Sequence, residues 1–194
     1  MSLRRRLAIG ALGLFAALPA AAQQFAVGAT YGWWNDIEGQ FKLQNFHSPD
    51  WEGWVQTQLG DDVVVRAGYG WMRVTADNAG DTLTINGTPV TMPEYREKIQ
   101  YLTVSVSYLL SQGPITSGLF GGVGGYGIRP DEVSPALDPY RDQRERVFGW
   151  HAGVEGDVRV YRGVSVMMRT TIHGILSTSN RTLLTASVGA LYRF

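Results

Sequence analysis

The chain has 194 residues, with 17 basic and 17 acidic side chains, three histidines and no cysteine. Balanced charge excludes the basic footprint that nucleic acid requires. The missing cysteines exclude a disulfide scaffold and thiolate metal sites, and the length suits one domain.

Residues 1–22 read as a cleaved signal peptide. Arg4, Arg5 and Arg6 precede an apolar run from Leu7 to Leu18, Pro19 breaks it, and Ala20-Ala21-Ala22 fits a cleavage site. The apolar run is shorter than the ~20 residues that span a bilayer. Its removal takes three arginines and no acid, leaving residues 23–194 as a mildly acidic domain.

Strand periodicity begins at once. Phe25, Val27, Ala29, Tyr31 and Trp33 alternate with small or polar residues, the period-two signature of a strand. The polar run from Asn35 to Asp50 follows. Trp51 to Leu59 is a second strand, with Glu52, Trp54, Gln56 and Gln58 on its polar side. After Gly60-Asp61-Asp62, Val63 to Trp71 is a third, and it carries Arg66 on its polar side. Asp77 to Pro93 reads as a loop. Leu102, Val104, Val106 and Tyr108 alternate with Thr103, Ser105 and Ser107 in a fourth strand. The uncharged stretch from Ile99 to Ile128 is no membrane helix, because Ser111-Gln112-Gly113-Pro114 punctuates it.

Ile115 to Arg129 contains GGVGGYG, and Gly122, Gly124 and Gly127 satisfy the G-x-G-x-x-G pattern of a dinucleotide loop. That chemistry needs a helix N-terminus after the glycines. Pro130 and Pro135 follow instead, so the stretch reads as a fifth strand. Its facing is ambiguous, since Leu119 and Val123 argue for one parity and Phe120, Tyr126 and Ile128 for the other. Asp131 to Glu145 reads as a loop. Phe148 to Val160 is a sixth strand, with His151, Glu155, Asp157 and Arg159 on the polar side. Tyr161-Arg162-Gly163 turns into Val164 to His173, where Arg169 and His173 are on the polar side. After Ser177 to Arg181, Leu184 to Phe194 closes the series.

Eight strands, joined alternately by short turns and longer polar segments, match a transmembrane β-barrel. Closure also removes sheet edges that lipid would not tolerate. The expected fold is all-β, an eight-stranded antiparallel up-and-down barrel. The six tryptophans (33, 34, 51, 54, 71 and 150) lie near the long loops, and Phe25, Tyr108, Tyr161, Tyr192 and Phe194 near the short turns or chain ends. Two aromatic belts are what two lipid–water interfaces select; Trp33, Trp51, Trp71, Trp150, Phe25 and Tyr108 are the clearest members.

The ending LLTASVGALYRF resembles the closing strand of bacterial outer-membrane barrels, and the stretch 23–194 resembles the OmpA/OmpX-like type. The resemblance implies a bacterial outer-membrane location, periplasmic termini and extracellular long loops. It implies contact with outer-membrane lipids, including lipopolysaccharide, and a monomer without cofactor. It makes Tyr192 and Phe194 the signal read by the barrel-assembly machinery. No cell-wall-binding domain is expected after Phe194.

The polar parity places Glu52, Glu155, Asp157, Arg66, Arg159 and Arg169 inside a lumen just wide enough for side chains. Buried charges must pair, so an ion-pair plug is expected, with a gated narrow pore as the rival. Some barrels of this size are lipid A deacylases, which keeps His173, Ser177, Ser179 and Asn180 under consideration. However, Ile175 stands where that family's serine would follow the histidine by two residues, so no catalytic residue is assigned. His47, His151 and His173 lack metal-ligand spacing, and Asp77-Asn78-Ala79-Gly80-Asp81 lacks a calcium ligand set. The loops, with Phe41, Phe46 and His47 in one and Asp131, Glu132, Asp138, Arg141, Asp142 and Arg144 in another, are where ligand binding is expected.

Overall fold

The computed structural model describes residues 24–37, 49–75, 82–85, 88–91, 95–133, 144–177 and 180–194. The signal segment, the Asp77–Asp81 run, His47, Ser179 and most of the long-loop residues named above lie outside them.

Among the described residues ten strands form: β1 (Phe25–Asp36), β2 (Pro49–Leu59), β3 (Val63–Thr75), β4 (Thr82–Ile85), β5 (Thr88–Thr91), β6 (Tyr95–Ser111), β7 (Ile115–Val133), β8 (Glu145–Tyr161), β9 (Val164–Ile175) and β10 (Arg181–Arg193). Eight close into an antiparallel barrel in the order β1-β10-β9-β8-β7-β6-β3-β2. No helix long and apolar enough to cross a membrane occurs among the described residues.

Two expectations are corrected. The Asp77–Pro93 stretch is not all loop, for β4 and β5 pair there as a separate two-stranded sheet. Threonine-rich segments flanking Asn86-Gly87 carry the hairpin signal, although they are too short to show periodicity. β7 also runs on to Val133, with Arg96 opposite Glu132 and Tyr95 opposite Val133. Charged residues there break the apolar alternation, while the ladder continues past a register shift between Arg96 and Glu97.

The short turns lie at one end of the barrel. Gly60 and Gly163 take φ of 72° and 71°, a region glycine enters without steric cost. β1 starts and β10 finishes at the same end, where the Phe194 amide donates to the Phe25 carbonyl at 2.9 Å.

The pleat sorts the side chains. Leu102, Val104 and Val106 face out, with Val104 53% exposed, while Thr103, Ser105 and Ser107 are buried. On β7, Leu119 and Val123 face out and Phe120, Tyr126 and Ile128 face in. That settles its parity: Gly122 and Gly124 line the interior and Gly127 the outer wall. Some inner glycines give up their side chains to bulky neighbours. A Cβ at Gly153 would lie 2.8 Å from Phe120 Cζ, and one at Gly149 would lie 2.7 Å from Tyr126 Cε2.

The interior is layered. At the long-loop end Trp34, Met72, Val74, Ile99, Ile128, Ile175 and Leu183 pack as an apolar cluster, with Val147 against it. Buried charges occupy the middle. Toward the short turns a polar cavity of about 40 Å³ is lined by Gln56, Gln58, Asp157 and Arg193, among others. That volume suits a few waters.

Candidate functional site

The middle layer is built from inward positions on four strands. Arg66 on β3 grips Glu155 on β8 with both terminal nitrogens, Nη1 to Oε2 at 2.5 Å and Nη2 to Oε1 at 3.0 Å. Its Nε and Nη2 also donate to Gln56 Oε1 at 3.0 and 2.7 Å. Gln56 is Arg66's register partner on β2, so the side chain is anchored to its own wall before it crosses. The guanidinium lies 5.2 Å from the centre of the Trp54 ring.

Arg169 on β9 makes the second crossing. Its Nη1 donates to Glu52 Oε2 on β2 at 2.5 Å, and its Nε stands 3.8 Å from Glu155 Oε2. Its Cζ is 4.0 Å from the centre of the Phe120 ring. Glu155 and Arg169 are direct register partners, yet the shorter bonds run across the lumen rather than along the wall. Arg66 and Arg169 side chains are each 2% exposed. Burial raises the desolvation cost of such pairs, and bidentate geometry with further hydrogen bonds, as Arg66 makes to Glu155 and Gln56, is what offsets it.

Asp157 belongs to a separate pair lower down. Arg193 Nη2 donates to its Oδ2 at 2.8 Å, while Arg193 Nη1 donates to Ser165 Oγ at 2.6 Å. Arg193 was not among the charges expected inside, although it stands on the polar parity of β10 and carries the same signal as the others. Arg159 is the correction: it is exposed and makes no part of the interior. The β8–β9 register shifts between Arg159 and Tyr161, so strict alternation fails at the strand end.

Above the middle layer, Tyr101 OH donates to Asp50 Oδ1 at 2.9 Å. Tyr126 OH and His173 Nδ1 are 3.1 Å apart, and His151 stacks on His173 with ring centroids 6.1 Å apart. Glu97 pairs with Arg181 close to the mouth. Sequence periodicity missed this last pair because both residues lie beyond the clearly alternating segments. Among the described residues no group of three or more histidine or acidic side chains is placed to hold a metal. Ser177 Oγ is buried without a hydrogen-bond partner among the described residues.

On the outer wall, Trp33, Trp51, Trp71 and Trp150 stand toward the long-loop end, with Trp51 edge-on to Trp71 at 6.1 Å. Phe25 and Tyr108 are exposed toward the short turns, where Tyr192 meets Phe194 edge-on at 5.0 Å. Trp34 and Trp54 depart from the expected belt. They share the inner parity of Thr30 and Glu52 and are 1% and 4% exposed.

No protein-family model and no curated protein sequence matches the chain. Solved structures match the fold. A major outer membrane protein from Thermus thermophilus superposes with a TM-score of 0.57 at 17% identity, covering 89% of this chain and 100% of that one. Neisserial surface protein A gives 0.57 at 13% identity, over 89% and 97%. Ail, the attachment invasion locus protein of Yersinia pestis, in complex with the heparin analogue sucrose octasulfate, gives 0.56 at 10% identity, over 89% and 99%. The chain has the fold of small outer-membrane β-barrels.

Proposed function

We propose that this protein is a sealed outer-membrane barrel that holds its long loops outside the cell as a binding surface and contributes to envelope integrity. The observation that carries this reading is the contrast between its two surfaces. The outer wall is apolar between two sets of aromatic residues, as lipid requires. The interior is closed by an apolar cluster at one end and cross-lumen ion pairs in the middle. In this reading the short turns and both termini are periplasmic, residues 1–22 are removed on export, and Tyr192 and Phe194 guide assembly. The barrel acts as a monomer among lipids such as lipopolysaccharide.

Reconstitution into planar bilayers tests the sealed interior. The expected record is silent, and resolved single-channel steps from the native protein would overturn it. Ail was crystallised with a sulfated sugar, so sucrose octasulfate is a reasonable first probe of the loops here.

A gated narrow pore is the second reading, favoured by one observation. Glu155 lies within 2.5 Å of Arg66 and 3.8 Å of Arg169, so a small movement could exchange its partner. The apolar cluster above stands against it, since opening the charged layer alone leaves the lumen blocked. A lipid A hydrolase reading receives less support, because His173 Nδ1 is engaged by Tyr126 rather than aimed at a nucleophile. Mass spectrometry of lipid A from cells with and without the protein separates it from both others.

A further inference from the structure

The stacked histidines join the two seals of the lumen. His151 and His173 are register partners on β8 and β9. They are 2% and 3% exposed, and their ring centres stand 6.1 Å apart. His173 packs on the rings of Tyr101 at 5.3 Å and Tyr126 at 6.1 Å, both members of the apolar cluster. His151 lies 6.1 Å from the Phe120 ring, which carries Arg169 of the charged layer on its face. Gly122 of the GGVGGYG stretch makes the seat, since a Cβ there would lie 2.8 Å from His151 Cε1.

An imidazolium at this joint has no acid to meet. Neither nitrogen of His151 has a hydrogen-bond partner among the described residues, and His173 Nδ1 has the Tyr126 hydroxyl at 3.1 Å. The charged neighbours that His151 feels are Arg169 and Arg66, and His173 feels Arg169 as well. The other titratable groups are engaged on every strand around the joint. Glu52 on β2 binds Arg169, and Glu155 on β8 binds Arg66. Asp50 on β2 accepts from Tyr101 on β6, and Tyr126 on β7 meets His173 itself. The buried inner positions of β1 and β10 include Thr30 and Thr185, which do not titrate. Farther off, Glu97 pairs with Arg181 at the mouth and Asp157 with Arg193 near the short turns. A proton added to either ring would thus create a buried charge without an acid partner, beside two guanidinium groups.

We infer that the His151–His173 stack is an acid-sensitive latch on the mouth of the barrel. Neutral, the two rings pack the cluster onto the charged layer. In acid they leave the stack as imidazolium, and Tyr101 and Tyr126 lose that packing. The release passes along β9, where Ile175 follows His173 by two residues, belongs to the same cluster and ends the strand. The loop end is thereby tied to the acidity outside. The Arg66–Glu155 and Arg169–Glu52 crossings remain, so the lumen stays shut. The inference rests on the sealed-barrel reading and adds a regulation to it.

The test is amide hydrogen exchange on the full barrel in lipid nanodiscs, followed by NMR and corrected for the intrinsic rate. The Leu176 amide donates to the Phe148 carbonyl at 3.0 Å and reports the end of β9, while the Leu109 amide donates to the Asp62 carbonyl at 2.7 Å and reports the short-turn end. An exposed imidazole takes up its proton near pH ~6.5, so going from about pH 7.5 to about pH 5 favours the open state by about 30-fold for each ring that opening exposes. Protection at Leu176 should fall by about 30-fold or more, and Leu109 should hold. His151→Phe forfeits no hydrogen bond, so it should keep native protection at neutral pH and remove about 30-fold of the acid response. Adding His173→Gln, which leaves Tyr126 a partner, should abolish the rest. Unchanged native protection in acid overturns the inference. Equal losses in native and double-variant barrels also overturn it, because carboxylates would then carry the response. A His151→Phe barrel already loose at neutral pH overturns it too, since His151 would then be a packing residue only. Single-channel steps at either pH strike the sealed-barrel reading, whereas a silent record without an acid response strikes the latch alone.

Discussion

Replacing Arg169 with alanine should destabilise the barrel by about 3–5 kcal/mol, the cost of leaving a buried charge without its partner. The burden falls on Glu52. Its Oε2 loses the 2.5 Å bond to Arg169, and what remains is Thr103 Oγ1 at 3.4 Å from Oε1. Glu155 suffers less because Arg66 still grips both its oxygens. Loss of the guanidinium over Phe120 adds about 1 kcal/mol. The same reasoning predicts that Glu52→Gln combined with Arg169→Met, which removes both charges and keeps most of the volume, stays within about 1 kcal/mol of the native protein. Urea unfolding in lipid vesicles, followed by tryptophan emission, measures both. A loss below about 1 kcal/mol for the single variant, or a double variant as unstable as the single one, would refute the idea that uncompensated burial sets the cost.

Other expectations concern other parts of the molecule. Val104→Arg puts a charge midway along the exposed apolar band and should cost about 2–4 kcal/mol in a bilayer; unchanged vesicle stability would contradict a lipid-facing wall. Gly153→Val drives side-chain atoms into Phe120 and should cost about 1–3 kcal/mol or prevent closure, visible as loss of the heat-modifiable band. Trp34→Ala empties part of the apolar cluster, costing about 3–5 kcal/mol, yet planar-bilayer recordings should stay silent because the ion-pair layer remains. Deleting Phe194 should reduce assembled barrel in cells while shifting stability of refolded protein by less than about 0.5 kcal/mol; normal assembly would remove it as a signal.

The fold is legible because a barrel wall repeats one rule. Leu102 to Tyr108 and Val164 to His173 each announce their two faces through period-two alternation, and turn glycines mark the reversals. Legibility fails where that rule is diluted. Arg96, Glu97 and Lys98 hide the start of β6, since charged residues occupy both faces once the chain leaves the apolar band. GGVGGYG conceals its facing because glycine carries no polarity to read. The candidate interior is only partly readable for a different reason. Parity identifies which charges face inward but not their partners, because Arg66–Glu155 and Arg169–Glu52 join strands that are not neighbours. Arg193 is inconspicuous at the end of an apolar strand despite its inner parity, while Arg159 lies beside a bulge that parity does not foresee.

The unequal strand lengths give the barrel an oblique rim. β1 and β2 last pair at Trp33 and Pro49, level with the tryptophans, whereas beyond the Gln100–Gly127 rung β6 continues five residues to Tyr95 and β7 six to Val133. Five residues of tilted strand raise that side by ~13 Å. In the membrane reading the chain therefore leaves β7 farther from the lipid surface than it leaves β1. Among the described residues the β6–β7 pair reaches farthest on that side. An epitope tag placed after Ser134 should be stained on intact cells with full-length surface polysaccharide, whereas one placed after Glu38 should become visible only when the polysaccharide is truncated. Equal staining of the two would show that the slope has no bearing on access.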